Sequence, residues 1–215
     1  MLWQEHLCNY IRRFGYCGAF RFRLLNFFYR LSQEHSRDAE YDFILPYLAA
    51  VKNKYKIRVI DVGASHSLFV YELLSRGYIT YGTDQRPYQE RIRKGIKYIQ
   101  CDIDKFPIGD IGRFDFVTCV SVIEHVGMSE YGDPLDIDGD SHMIKAIAEM
   151  LKKGGILLLT CPVKEWTGRG VIFTKNKTIC RGYSYLDIEK ITKEYFVIVR
   201  HEVRRGQNCL ALVRK

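Results

Sequence analysis

Apolar and polar positions along the chain follow two rhythms, short β-branched runs and longer stretches with helical recurrence. The first clear run covers 57–60 and ends on Asp61. A small-residue turn, Gly63-Ala64-Ser65, follows it and opens a helix carrying Leu68, Leu73 and Leu74. A second run over 79–83 delivers Asp84, a third over 98–102 closes on Asp102, and a fourth covers 114–120. This pattern predicts strand, turn, helix and strand in repetition, which is the order of an α/β domain. Ahead of it, 41–52 reads as a helix leading into the first strand. Earlier still, Trp3, Leu7, Tyr10, Phe14 and Cys17 recur at three and four residues. Phe20, Leu24, Phe27 and Leu31 continue that stripe after Gly15 and Gly18 loosen it, with Arg12, Arg13, Arg21, Arg23 and Arg30 mostly off it. Two units are therefore expected: a helical extension over 1–50 and one domain over 51–215.

The turn after the first strand carries the first chemical signal. Its small residues let backbone N–H groups approach a ligand, and Asp84, 84 − 61 = 23 positions beyond Asp61, can accept both hydroxyls of a ribose. A nucleoside-containing cofactor is the predicted occupant, with a dinucleotide and an aminoacyl nucleoside both open. Sign separates them. Asp61 beside the turn would repel a pyrophosphate but suits an ammonium, which favours the aminoacyl nucleoside.

The string Asp61-Val62-Gly63-Ala64-Ser65-His66-Ser67 resembles the D-x-G-x-G-x-G turn of class I S-adenosylmethionine-dependent methyltransferases, with serines at the second and third glycine positions. The strand ending at Asp102, the string Ser121-Val122-Ile123-Glu124-His125-Val126 after the fourth strand, and the helix-turn-strand pattern over 151–160 are similar to the same family, in the same order. The resemblance covers 56–215. It implies a Rossmann-like class I methyltransferase fold: a seven-stranded, mostly parallel sheet with helices on both faces and a closing hairpin over 195–203 and 207–213. The N-terminal helical extension lies outside it. For the cofactor S-adenosylmethionine and its product S-adenosylhomocysteine, the resemblance implies contacts at Asp61, Gly63, Ala64, Ser65, Asp84, Gln85 and Ser121. Asp102 and Ile103 match the positions that hold the adenine amino group and ring.

Chemistry is expected just beyond the fourth strand, where Glu124 and His125 are the first polar residues. An imidazole can take a proton from a hydroxyl near neutral pH, so His125 is the candidate general base. Glu124 is the second catalytic candidate, with capping or anchoring the loop as its alternative role and closure over the cofactor as that of His125. Four aspartates follow at 133, 136, 138 and 140. Counting from Asp133 or Asp136 puts Ile144 or Ile147 at the twelfth loop position, which excludes an EF-hand. The expectation is a site without metal, with a divalent cation held by two carboxylates as the alternative. Asp140 or Ser141 is expected to cap a helix over 142–151. The stretch 131–140 and Arg181-Gly182-Tyr183-Ser184, ahead of a helix over 185–193, resemble a poorly characterised group of methyltransferases associated with surface-glycan assembly. That resemblance implies O-methylation of a sugar, glycan or related polar small molecule, with Arg181 and Tyr183 as substrate contacts. RNA ribose methylation and a non-catalytic S-adenosylmethionine-binding scaffold are the alternatives.

Charge sharpens the acceptor. The net charge of +8 divides into 9 − 5 = +4 before Ile57, 12 − 15 = −3 from Ile57 to Cys161, and 12 − 5 = +7 beyond. The loop over 162–183 holds Lys164, Arg169, Lys175, Lys177 and Arg181 with Trp166 and Phe173, which would attract an anionic substrate. The extension is expected to pack on its own domain or on a second subunit, giving a homodimer. Its alternative is peripheral contact of residues 1–45 with an anionic membrane. No apolar run approaches the roughly 18 residues that span a bilayer. The first fourteen residues lack the charge and apolar pattern of an export signal. Seven cysteines without metal spacing suit a reducing compartment, so a cytoplasmic location is expected.

Overall fold

The computed structural model describes residues 36–88, 95–129, 134–164, 171–173 and 179–215. The aromatic stripe of the extension, and Trp166, Arg169, Lys175 and Lys177 of the basic loop, lie outside the described residues. Among the described residues, nine strands run in order: β1 (Arg58–Val62), β2 (Ile79–Asp84), β3 (Ile96–Gln100), β4 (Phe114–Val120), β5 (Leu151–Pro162), β6 (Val171–Phe173), β7 (Ile179–Arg181), β8 (Phe196–Arg204) and β9 (Gln207–Arg214). Seven of them form one sheet in the order β3-β2-β1-β4-β5-β9-β8. β9 runs antiparallel to both its neighbours, and the remaining pairings are parallel. This is the seven-stranded, mostly parallel sheet that the family resemblance implied. The β6–β7 pair is a small separate ladder within the loop after β5.

The central strands are mostly apolar and buried because both of their faces are covered. Side chains alternate across a strand. Ile60, Val62, Leu157, Leu159, Leu210 and Leu212 pack on one side with Met143, Ile144 and Ile147 of the helix Gly139–Met150. Val59, Leu158, Cys209 and Ala211 pack on the other, against Phe43, Ile44 and Leu48 of the helix Ser36–Ala49 and against Phe69 and Leu73 of the helix Phe69–Ser75. Five described cysteines are free thiols, four of them buried. Among the described residues, no helix is long and apolar enough to cross a membrane.

Differences from the expected elements have local causes. The helix after β1 begins late, because a 3-10 turn at Ala64–His66 comes first and the Ser67 hydroxyl then accepts from the Phe69 amide. The helix expected over 142–151 starts at Gly139 with Asp138 as its N-cap, and Asp138 makes no side-chain cap bond. Asp140 and Ser141 are not the cap. A Cβ on Gly139 would sit 3.3 Å from the Gly127 backbone, so this helix start is set by close packing on a distant loop. Asp140, buried, instead receives the Tyr183 hydroxyl. The helix Tyr185–Thr192 starts as predicted, with Ser184 and Asp187 forming a reciprocal capping box.

The loop between β5 and the helix Tyr185–Thr192 is tied at its stem. Asn208 Nδ2 donates to the carbonyls of Tyr183, at 2.9 Å, and of Pro162, at 3.4 Å. The Tyr183 amide donates to Pro162 O, and the Lys164 amide to Tyr183 O.

Candidate active site

A cleft of about 920 Å3 opens at the carboxyl ends of the parallel strands. Ligands of open α/β sheets bind at this edge, where successive turns bring backbone groups and strand-end side chains together.

One half is built from the turns after β1, β2 and β3. Gly63 lines it at φ 78, and an added Cβ would lie 2.3 Å from Val122 Cγ2, so only glycine fits there. The Gly63 amide is held by Thr83 O at 2.9 Å. Asp84 lines the cleft with its carboxylate already organised: Oδ2 accepts from the Ser65 amide at 3.2 Å, and Oδ1 from the Arg86 amide at 2.9 Å. The Arg86 guanidinium pairs with the same carboxylate. Gln85, Asp102, Ile103, Ser121, Ser67 and His66 complete this wall. Asp102 is exposed and paired with Lys105 at 2.8 Å.

Three of the expected cofactor residues stand behind the wall. Ala64 is fully buried against Gly82. Ser65 is also buried and spends its hydroxyl proton on Pro87 O at 2.9 Å. Asp61 is 2% exposed and accepts the Thr118 hydroxyl at 2.7 Å. Burial pushes the Asp61 carboxyl up to about 6, against the opposing pull of the Thr118 and Ser67 hydroxyls.

The other half lies between the loop after β4 and the helix Gly139–Met150. His125 lines it, with Nε2 4.0 Å from Oε1 of the buried Glu124. His142 faces it from the helix, and its Nδ1 meets Asp136 Oδ2 at 2.8 Å. Asp136 is fixed in turn: its amide donates to Gly127 O, and its Oδ1 accepts from the Asp138 amide. Among the described residues, no three His, Cys, Asp or Glu side chains converge as a metal site.

Arg181 and Tyr183 do not line the cleft. Arg181 donates to the carbonyls of Val126, Asp136 and Ile137. The Tyr183 hydroxyl is placed on Ile123 O and Asp140 Oδ2, and burial raises its pKa. Both side chains brace the wall of the cleft from behind. Sequence reasoning missed His142, Lys145, Ala146 and Glu149, which share the cleft-facing side of one helix at three- and four-residue spacing. That recurrence was the signal available. Arg37 also lines the cleft, from the first described helix, and no local pattern marks it.

Structural comparison separates fold from chemistry. A TehB-like S-adenosylmethionine-dependent methyltransferase from Corynebacterium glutamicum superposes with a TM-score of 0.60 at 12% identity, covering 90% of this chain and 96% of that one. The protein has the class I methyltransferase fold. Magnesium protoporphyrin IX methyltransferase from Synechocystis, with bound S-adenosylmethionine, shares this methyltransferase fold at a TM-score of 0.56 and 22% identity, covering 81% of this chain and 77% of that one. A curated relative, the ubiquinone biosynthesis O-methyltransferase of Coxiella burnetii, is 31% identical over 110 residues; the match spans 47% of this chain and less than half, 42%, of that protein. Residues 78–179 match the family described as Caenorhabditis protein of unknown function, DUF268.

Proposed function

We propose that the protein is an S-adenosylmethionine-dependent methyltransferase acting on a hydroxyl oxygen of a sugar, glycan or related polar small molecule. The observation that carries this reading is the cleft itself: Gly63, with no room for a side chain, and the preorganised Asp84 carboxylate lie at strand ends in one half, and the imidazoles of His125 and His142 line the other. The donor set fits the cofactor. Asp84 would take the ribose hydroxyls, with Arg86 moving aside. Asp102 and Ile103 would take the adenine, and Gly63 and Ser121 the aminoacyl end. Bound there, the cofactor supplies an activated methyl group on a sulfonium.

The remaining work falls to the chain's own side chains. They must align the acceptor oxygen and remove its proton. His125 is the proposed base. His142 is the second candidate, since it lines the cleft and its Nδ1 bond to Asp136 leaves Nε2 to take a proton. Lys145, exposed on the cleft-facing side of its helix, and Arg37 support an anionic acceptor. A cytoplasmic location is part of the same reading.

Titration calorimetry with S-adenosylmethionine tests the cofactor, and no detectable heat of binding would end the proposal. Mass-spectrometric screening for methyl incorporation across nucleotide sugars, lipid-linked glycans and structured RNA tests the acceptor. Methyl gain on RNA alone would replace the small-molecule reading.

A further inference from the structure

Glu40 is a fully buried carboxylate on the helix Ser36–Ala49, packed over the ends of β4 and β5. Its Oε2 accepts two hydrogen bonds, from Thr160 Oγ1 and, at 3.0 Å, from Ser121 Oγ. Its Oε1 is buried with no hydrogen-bond partner among the described residues. An unsatisfied buried carboxylate oxygen is costly and is retained where something compensates it.

Ser121 connects this acid to the cleft. It lines the cleft beside Val122, the residue that touches Gly63. Its backbone sits at φ 51, a left-handed conformation that glycine would adopt with less strain. Its amide is pinned to Thr160 O at 3.2 Å and Thr160 Oγ1 at 3.1 Å. A serine hydroxyl has one proton and two lone pairs. Because a carboxylate oxygen only accepts, the Ser121 proton points back to Glu40 and the lone pairs are left for the cleft. Thr160 is consumed in the same way, donating to Glu40 while accepting from the Ser121 amide.

We infer that Glu40 and Ser121 form an ammonium-recognising subsite, in which Glu40 orients Ser121 Oγ as an acceptor for the α-amino group of the cofactor's aminoacyl end. The inference rests on the methyltransferase reading, and it makes Glu40 a positioning residue supplied from outside the strand-end motifs. It also gives a reason for serine at a strained position where glycine would be easier.

The test compares two thioether nucleosides by calorimetry: S-adenosylhomocysteine, and 5′-methylthioadenosine, which lacks the aminoacyl end. In Glu40→Gln the new amide can donate to Ser121 Oγ and turn its proton into the cleft. Ser121→Ala removes the acceptor and leaves Glu40 bonded to Thr160. Each variant should weaken S-adenosylhomocysteine about ten-fold or more while holding 5′-methylthioadenosine within about two-fold. Equal losses for both ligands, or an unchanged S-adenosylhomocysteine affinity in Ser121→Ala, would overturn the subsite. Should Glu40→Gln fail to fold by circular dichroism, Ser121→Ala decides alone. Wild-type protein that binds neither ligand overturns the methyltransferase reading, and the subsite with it.

Discussion

The half of the cleft at the ends of β1, β2 and β3 is organised by bonds between neighbouring strands and their turns, such as Gly63 to Thr83 and Ser65 to Asp84. The half around His125 and His142 is held from a distance: Arg181 reaches back 55 residues to Val126 and 45 to Asp136, and Tyr183 reaches 43 to Asp140. A site for a constant ligand can be written into short local motifs. A site whose occupant differs between proteins is better built on loops that one distant cation can pin or release. The two halves should therefore respond differently to substitution.

The largest separation is expected at the imidazoles. His125→Ala should lower turnover by about 10²-fold to 10⁴-fold while leaving S-adenosylhomocysteine affinity near wild type. His142→Gln is the control. A greater loss there, in single-turnover methyl transfer, would move the base to the Asp136-supported ring.

Asp61 comes next, because burial alone makes it expensive. Its raised carboxyl pKa means that the folded chain holds a proton more tightly than the unfolded one. Stability is therefore highest below the unfolded value near 3.8, falls as pH rises, and bears the full penalty above about 6. Asp61→Asn should remove this slope. The variant should gain up to about 3 kcal/mol above pH 6 and almost nothing below pH 4, as read by urea unfolding at both pH values. An identical pH slope in the variant would show that another group governs it.

Gly63→Ala should weaken S-adenosylhomocysteine by roughly thirty-fold, about 2 kcal/mol, since the added methyl meets Val122 and the backbone stays at positive φ. Retained affinity would mean that the turn and Val122 yield together. The smallest change is expected at Arg181→Met, which leaves three loop carbonyls without their donor. About 1.5 kcal/mol of stability should be lost in thermal unfolding, with S-adenosylhomocysteine affinity within two-fold. A large loss of cofactor affinity in this variant would dissolve the distinction between the halves.

The same contrast explains what could be read from the chain beforehand. The succession of strands and helices, the turn at Gly63, Asp84 at the end of β2 and Asp102 two residues beyond β3 follow from alternation and spacing, because each depends on residues within one strand-turn-helix unit. Arg181 and Tyr183 were expected to contact substrate. Their side chains satisfy backbone carbonyls and a buried carboxylate, a demand that exists only after the loop has folded. Asp140 looked like a helix cap for the same reason: its local position suited one, and a tertiary partner claimed it. Glu40 was the hardest to foresee. Its bond to Thr160 spans 120 residues, and nothing in the sequence around either residue signals it.

The stem of the loop after β5 has a consequence for how such a protein changes over evolutionary time. Asn208 grips Pro162 and Tyr183 together, so the loop leaves the end of β5 and returns to the start of the helix Tyr185–Thr192 at nearly one point. Whatever length of polypeptide is inserted between those two residues exerts little leverage on β5 or β9. The loop can be lengthened, shortened or exchanged like a tool in a fixed handle while the strand-end turns that line the cleft are inherited intact.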